Sequence, residues 1–544
     1  MKRLVCLISI FIVFMPMLRA QVSVNNDGGI PNPSAMLDVK SNDKGFLPPR
    51  MTWTQIQAIQ NPASGLLVYD EGIRSFRMFN GSKWSVIGPK AVSFSDPPGN
   101  FANITAESVG NAYGTVIIMG PDKNVYVAGQ VENTLVFGND TIRAVGGLDA
   151  FLAAFDSTGN YLWSKFIGGT GSIGARLLKL DASGYIYLSG HFTGTIDFDP
   201  SPALDNHTST TQAAYITKYT SDGSLIWAKH MASTSAASVF SIVIDPTGNP
   251  FICGIFVGTT DFDPGPGVFN LISSSGEWDG FFARYDNAGN LVWAKRIGNT
   301  GEDLIDDMIL LSGTVVINGS FSGTVDFDPN AGVSNLISSG TGDYFIARYD
   351  NAGNFLWGKA IGSPARERAL NLSLAADGAG NILLGGIFSD TIDINPDVAV
   401  VNLTSAGAKD FFLAKYSSAG SYLSWGFRIG GTGDDYLMSL SMDSNDNILV
   451  TGYFHNTVDF DNSGNSLNLT SNGSGDAFLA KYDNLTNLVF AKSIGGAGFD
   501  NSYGVTTSSS GKLIFSTGYA TVPYLAITGE KILSGSFYLV RYEE

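Results

Sequence analysis

The chain has 544 residues, 15% of them charged, with 65 Gly, 20 Pro and 12% aromatic residues; an ordinary globular protein carries roughly 25% charged residues. So few charges among so many turn formers exclude a helical bundle, a coiled coil and a charge-driven disordered tail, and they suit an all-β protein. The balance of 32 basic to 49 acidic residues, net −17, argues against a nucleic-acid partner, because affinity there comes from neutralising phosphates.

Residues 1–20 have the pattern of a secretory signal peptide. Lys2 and Arg3 precede an apolar run from Leu4 to Met17, and Leu18-Arg19-Ala20 forms a cleavage site before Gln21. That run is shorter than the roughly 20 residues a helix needs to cross a bilayer. The expectation is an exported protein, periplasmic, outer-surface or extracellular, with no transmembrane segment in the mature chain. Cys6 belongs to the signal, which leaves Cys253 in the strand-like phrase Phe251-Ile252-Cys253-Gly254 as a buried thiol.

Residues 21–90 form a small N-terminal module with no internal period. It contains Asn32-Pro-Ser-Ala-Met-Leu-Asp-Val-Lys40, Lys44-Gly-Phe-Leu-Pro-Pro-Arg-Met-Thr52, Gly65-Leu-Leu-Val-Tyr-Asp70 and Phe79-Asn-Gly-Ser-Lys-Trp84. Thr52 to Ile59 suits a short helix, and Gly65–Asp70 with Phe76–Phe79 a hairpin. The order of these phrases resembles an N-terminal module of large surface or fibre-like proteins of some Gram-negative bacteria, which implies a structural or adhesive role. A unit this small is marginal alone, so it is expected to dock on the rest of the chain or on a second copy.

Residues 91–544 repeat themselves. The phrase from Asp279 to Lys295, which includes Ala-Arg-Tyr-Asp-Asn-Ala-Gly-Asn, returns from Asp343 to Lys359, and a landmark aromatic recurs at Trp163, Trp227, Trp293, Trp357, Trp425 and Phe490. A fixed period means stacked or radial supersecondary units. Each repeat reads as four strands. The first is typified by Ala477–Tyr482 and is followed by an Asp-Asn-Ala-Gly-Asn turn; the second carries the Trp. The third resembles Arg176–Asp181, and the fourth, Ile448–Phe454, holds a glycine that recurs at Gly190, Gly254, Gly319, Gly386, Gly452 and Gly518. Bare backbone there suits close approach by a neighbour.

Full repeats begin near Asp149, Ala213, Asp279, Asp343, Asp410 and Asp476. The chain from Gly99 to Gly129 supplies later strands without a first one, and Gly535–Tyr542 supplies a first strand without the rest. Six full repeats and one composite predict a seven-bladed β-propeller of four-stranded antiparallel blades, closed by N- and C-terminal strands. The phrases Asp-Ala-Phe-Leu-Ala-Lys-Tyr-Asp, Asn-Leu-Val-Trp, Gly-Gly-Thr-Gly-Asp-Asp and Asp-Ser-Asn-Asp-Asn-Ile-Leu-Val-Thr-Gly resemble the SBBP-type β-propeller repeat of bacterial exported proteins. That resemblance implies the fold and no particular activity.

Candidate chemistry begins with carboxylate pairs after the fourth strand: Asp197/Asp199, Asp261/Asp263, Asp326/Asp328 and Asp459/Asp461, with Asp393/Asn395 in one repeat. In extended chain residues i and i+2 share a face, so each pair offers oxygens to calcium, the one cofactor the sequence suggests. The competing reading is turn initiation with an acidic edge that discourages pairing between molecules. A cationic series, Lys218, Arg284, Arg348, Lys415, Lys481 and Arg541 on the first strand, forms either a positive ring for an anion or a cover for the Trp of the paired strand. Whether Arg284 sits opposite Trp293 depends on the hairpin register.

Other motifs point away from catalysis. Gly169-Thr-Gly-Ser-Ile-Gly174 matches a dinucleotide fingerprint, but a strand rather than a helix follows it. Asp286 to Trp293 is similar to the Asp-box turn of sialidases with each spacing one residue too long. The Gly-Asn-Leu-Val-Trp phrase is similar to quinone-cofactor propeller dehydrogenases, whose adjacent cysteine pair this chain lacks. His191, His207, His230 and His455 show no metal-ligand spacing. The leading expectation is therefore a non-enzymatic exported scaffold binding a surface protein or glycan; the alternative is a polysaccharide-active hydrolase or lyase, and a third is a passive spacer. Features repeated in every unit mark scaffold, whereas a site should break the symmetry. Which strand faces the ring centre stays open.

Overall fold

The computed structural model describes residues 22–24, 37–39, 47–71, 75–79, 84–87, 100–105, 107–109, 112–137, 140–362, 373–520, 524–525, 531–532 and 536–543. The signal-peptide segment lies outside them. Two compact units divide the chain, residues 1–87 and 88–544.

In the first unit the helix Trp53–Gln57 and the antiparallel pair Leu67–Asp70 with Ser75–Phe79 match the sequence reading. Thr52 starts the helix, its backbone N–H donating to Gln55 Oε1 at 2.9 Å, which satisfies an amide left without an intrahelical partner. Arg50–Met51 and Trp84–Ile87 flank the hairpin in a four-stranded sheet. Ile56, Val68 and Trp84 form its core, beside a buried Arg77–Asp70 ion pair at 2.8 Å.

The second unit is all-β and propeller-like among the described residues. Its sheets straddle the sequence repeats. In the stretch 304–361, Leu304–Leu311 pairs with Thr314–Phe321, that strand with Asp343–Tyr349, and that in turn with Phe355–Ile361. A meander thus consists of the third and fourth strands of one repeat and the first and second of the next. The same order occupies 112–169, 172–231, 236–297, 373–429 and 436–494. The last meander, Asp500–Thr507, Leu513–Ala520 and Ser536–Glu543, takes its fourth strand from Asn100–Thr105, with Tyr542 opposite Phe101 and Val540 opposite Asn103.

Successive meanders meet through their leading strands. Thr115 Oγ1 donates to the Ala175 carbonyl at 2.9 Å, Ser241 Oγ to Asp307 Oδ1 at 2.7 Å, and the Leu374 N–H to Asp307 Oδ2 at 2.9 Å. The Val505 N–H donates to Ser439 Oγ at 3.3 Å, and the Met119 N–H to Thr506 Oγ1 at 3.0 Å. Apolar side chains fill the space between sheets, among them Phe251, Cys253, Phe282, Ile317 and Tyr349, all buried. Cys253 is the buried thiol its phrase suggested.

Among the described residues, five leading strands bulge where they pass the recurrent glycine of their partner. The register skips Arg176 opposite Gly190, Phe240 opposite Gly254, Asp306 opposite Gly319, Met438 opposite Gly452 and Tyr503 opposite Gly518. A Cβ on these glycines would run into the carbonyl oxygens of Gly174, Ser238, Leu304, Tyr436 and Asn501. A bulge inserts one unpaired residue and brings backbone against backbone, which only glycine accommodates here.

A second repeated contact joins neighbouring meanders at their outer strands. The Trp227 and Trp293 indole N–H groups donate to the carbonyls of Asn287 and Asn351 in the next hairpin turn, both at 3.2 Å. In those turns Gly289 and Gly353 have φ of +78° and +77°, a region L side chains enter at a cost. A Cβ on Gly353 would lie 3.4 Å from Trp293 Cε3. Gly353→Ala is expected to cost about 1–2 kcal/mol, mostly from the left-handed backbone. Trp293→Ala should cost about 2 kcal/mol, below the roughly 3–5 of a fully buried aromatic, because the ring is half-buried. Urea denaturation of both variants and of the double variant checks these values, with non-additivity expected for two groups in contact.

Candidate functional site

The repeated polar features serve the units that carry them. In every Asp-x-Asp loop the first carboxylate caps the turn: Asp197 Oδ1 accepts from the Asp199 and Asp205 N–H groups at 3.0 and 2.9 Å. Asp261 accepts from Asp263 and Phe269, Asp326 from Asp328 and Ser334, and Asp459 from Asp461 and Leu467. The second member holds the following residues, with Asp199, Asp263, Asp328 and Asp461 accepting from Ser201, Gly265, Asn330 and Ser463. Asn395 does the same for Asp397 at 3.0 Å, and an amide oxygen suffices because only an acceptor is needed. Among the described residues no group of three or more His, Cys, Asp or Glu is placed to hold a metal ion.

The first-strand cations are neutralised locally. Lys218 faces Asp181 at 3.8 Å, Arg284 Asp245 at 3.3 Å, Lys415 Asp377 at 3.1 Å and Lys481 Asp443 at 3.6 Å. Each aspartate sits in the turn between the first two strands of the same meander. The register puts Arg284 opposite Trp293, yet its guanidinium lies over Phe251 at 5.1 Å, and Lys218 lies over Tyr185 at 4.5 Å. Lys415 does cover Trp425, at 5.4 Å. The indoles of Trp227 and Trp293 are engaged by the next turn, so the cations there take the aromatic ring of the strand on their other side.

Symmetry breaks at the bulges. The skipped positions hold Arg176, Phe240, Asp306, Met438 and Tyr503, and in the first meander Thr115 opposite the step from Ala128 to Gly129. No two are alike. Because the bulged residue is outside the ladder, the repeat places no demand on its side chain. Sequence comparison of the repeats could have found this column, but only once the leading strand was known.

The largest departure lies where the meanders 436–494 and 500–543 adjoin. Tyr436 and Tyr453 face each other across the ladder and stack at 4.6 Å with ring planes 16° apart. The corresponding cross-strand pairs elsewhere are His191 with Gly174, Ile255 with Ser238, Ser320 with Leu304 and Tyr519 with Asn501. Phe499 meets Tyr453 edge-on at 4.9 Å, His455 lies 5.7 Å from Tyr453, and Lys409 Nζ donates to the Tyr436 hydroxyl at 2.6 Å. Tyr436, Tyr453, Phe499 and His455 are all half-buried. Packed aromatic rings with part of their surface in water, next to hydroxyl, imidazole and ammonium groups, suit a ligand that is apolar on one face and hydroxylated on the other.

Beside this sector the strand ends are anchored by buried aspartates. Asp410 Oδ2 accepts from the Ala406 N–H at 2.9 Å, and Asp435 accepts from Gly431 and His455 at 2.7 and 3.0 Å. Asp303 is held likewise by Asn299 and Ser322 at 2.7 and 3.0 Å. Desolvation raises Asp303 to about 7 and Asp435 to about 6, the neighbouring Asp279 and Asp410 adding to the shift and the N–H donors opposing it. Two histidines that look isolated in sequence also meet: His207 and His230 share an Nδ1–Nδ1 hydrogen bond of 2.7 Å, and burial lowers both. Nothing in their 23-residue spacing signals this: His230 pairs with Tyr215, and His207 with Ile196 beyond the register shift between Phe192 and Gly194, where residues 210–212 drop out of the ladder.

Residues 24–100 match a family described as "Phage tail like trimerisation region". A protein of Acanthamoeba polyphaga mimivirus, an uncharacterised WD repeat-containing protein, is 23% identical over 420 residues, covering 65% of this chain and 30% of that protein. The regulatory protein FlaEY of Caulobacter vibrioides is 20% identical over 339 residues, 58% of this chain and 34% of that one. The chain thus spans about a third of the length of these relatives. Among solved structures, the WD40 repeats of RRP9 align over 84% of this chain and 100% of that one, at 10% identity and a TM-score of 0.37.

The raised aspartates make stability depend on pH with a definite sign. Asp303 and Asp435 bind a proton more tightly folded than unfolded, where carboxylates titrate near 4. Their protonation therefore favours folding, and that contribution is lost as pH rises through about 6 to 7. The urea midpoint is expected to be higher at pH 6.5 than at pH 8, and Asp303→Asn should flatten this difference. His191, lowered to about 4 by burial and by Arg176, acts in the opposite direction only below about pH 6.5, outside that window.

Proposed function

We propose that this chain is an exported, non-enzymatic scaffold in which seven meanders close into one ring, and in which the sector of Tyr436, Tyr453 and Phe499 binds carbohydrate. The observation that carries the ligand reading is the stacked tyrosine pair with its flanking Phe499, His455 and Lys409, which has no counterpart in the other described meanders. Sugar rings offer an apolar C–H face to such aromatics and hydroxyls to the groups around them. Among the described residues the polar groups beside the rings are engaged structurally, Asp435 by the Gly431 and His455 N–H groups and Lys409 by Tyr436, which favours binding over hydrolysis.

Ring closure is supported by the pairing of Asn100–Thr105 with Ser536–Glu543, by the Met119 to Thr506 hydrogen bond, and by Arg541 Nε, which donates to the Ser157 carbonyl at 3.0 Å. These contacts connect the last meander with the first, and they cover an edge that would otherwise recruit other strands. The match of residues 24–100 supports the further reading that the N-terminal region joins copies in threes. Three weak sites carried on one trimer would act together on a polymeric glycan and gain avidity without a new contact.

Two measurements test the proposal. Purified full-length protein is expected to bind a subset of a glycan panel, and Tyr436→Ala/Tyr453→Ala to weaken that binding at least tenfold with the fold retained by circular dichroism. A panel with no binding removes the carbohydrate reading. For closure, Asn103→Cys/Val540→Cys places two thiols on directly opposed residues, within disulfide reach for antiparallel neighbours. Oxidation should raise the melting temperature, whereas free thiols under oxidising conditions would refute the shared terminal sheet.

A further inference from the structure

Arg176 occupies one of the bulge positions, and its surroundings differ from those of every cation described above. It is exposed, and among the described residues it has no carboxylate partner. Its guanidinium carbon lies 5.3 Å from the centre of the Phe240 ring, the bulge residue of the next leading strand. Ring and guanidinium stacked in this way leave the N–H fork at the guanidinium edge unused. Crowding by protein nonetheless pulls its pKa down, and desolvation is the only cause at work. In the closed ring proposed above, an exposed side chain on a leading strand that also packs against the bulge residue of the next one faces the water at the ring centre.

The neighbourhood limits what the fork can bind. His191 is held neutral by burial and by Arg176 itself, with Nδ1 on Ser238 Oγ at 3.1 Å. Two acids lie on the leading strand Leu304–Leu311: Asp306 at its bulge, and Asp307, which is engaged by Ser241 and Leu374. One guanidinium without a carboxylate partner among the described residues, in a chain of net −17, suits a singly charged planar anion better than polyphosphate or nucleic acid. Tyr503, Thr115 and Arg176 are the bulge residues of three successive leading strands, joined through Thr506 to Met119 and Thr115 to Ala175. The leading strand of the aromatic sector, Tyr436–Met442, joins this series through the Val505 N–H to Ser439 Oγ hydrogen bond, so four successive leading strands connect the sector with the guanidinium.

We propose that Arg176 is the carboxylate-binding end of the ligand site, so that the saccharide held by the tyrosine sector is an acidic one carrying uronate groups. This rests on the closed ring and the carbohydrate reading given above. Arg176 acts as a specificity residue: its bidentate hydrogen bonds to a carboxylate are charge-assisted and short-ranged, so they survive physiological salt better than long-range attraction would.

The test compares oligogalacturonate with its fully methyl-esterified form, using the full-length protein and calorimetry at 150 mM salt. Wild type should bind the acid at least tenfold more tightly than the ester. Arg176→Gln should bind both at the weak level of the ester, and Arg176→Lys should recover part of the preference. Tyr436→Ala should weaken acid and ester alike. Equal binding of the two forms by wild type would overturn the role of Arg176 and leave the carbohydrate reading standing, as would an acid preference that persists in a folded Arg176→Gln. Failure of both forms to bind would overturn this inference by showing that uronate saccharides are not taken up, while binding of other glycans in the panel would keep the broader reading.

Discussion

The close approach of two backbones at the recurrent glycine is the constraint from which the rest of the propeller-like unit follows. At Gly190, Gly254, Gly319, Gly452 and Gly518 the leading strand pushes a carbonyl oxygen into the space a Cβ would take. That approach forces one residue of the leading strand out of the ladder. The strand then bends and twists more strongly than a regular one. The displaced residue is released from the alternation that fixes every other side chain of the sheet. A single repeated backbone demand thus creates a column of positions outside the ladder whose side chains differ from one meander to the next, Thr115 bonding the Ala175 carbonyl and Arg176 lying over Phe240.

Cohesion between meanders comes from small contacts repeated many times. Trp163, Trp227, Trp293 and Trp357 lean on the turn of the next meander, where Gly223, Gly289, Gly353 and Gly420, all with positive φ, leave room for the ring. Four of the first-strand cations, Lys218, Arg284, Lys415 and Lys481, find an aspartate in a turn of their own sheet. Where that turn lacks an acid, Arg348 bonds Thr314 Oγ1 at 2.8 Å instead. No single contact is large, since partly exposed ion pairs contribute about 0–1 kcal/mol. Nearest-neighbour interfaces repeated around a chain of similar units add up to a stable whole.

The division of labour between repeated and unique residues explains why the candidate site was hard to see in sequence. Asp197 and its equivalents stand out because they recur, and they recur because turn geometry needs an acceptor at that point; Asn395 shows that the charge is dispensable for that purpose. Tyr436, Tyr453, Phe499 and Arg176 do not recur, so the period hides them. A site should break the symmetry, but the order of residues alone does not show the column along which to look. His207 and His230 make the same point, since their hydrogen bond depends on which strand faces which.

Composition, period and turn chemistry alone determined an all-β repeat with four main strands per period, because glycine-rich turns and alternating apolar residues are local signals; the short added pairs, such as Thr259–Asp261 with Asn270–Ile272, came only from the structure. The same local signals also located the close-approach glycines and the short helix and hairpin of the N-terminal region. The structure decided how repeats map onto sheets: each meander begins with the third strand of one repeat and ends with the second of the next. It decided too that the third strand leads, that Arg284 turns to Phe251 rather than to the Trp opposite it, and that Tyr436 stacks on Tyr453. Each of these depends on contacts between segments distant in the chain. A one-dimensional period is unchanged by where one starts to count, so it carries no information about which strand comes first in space.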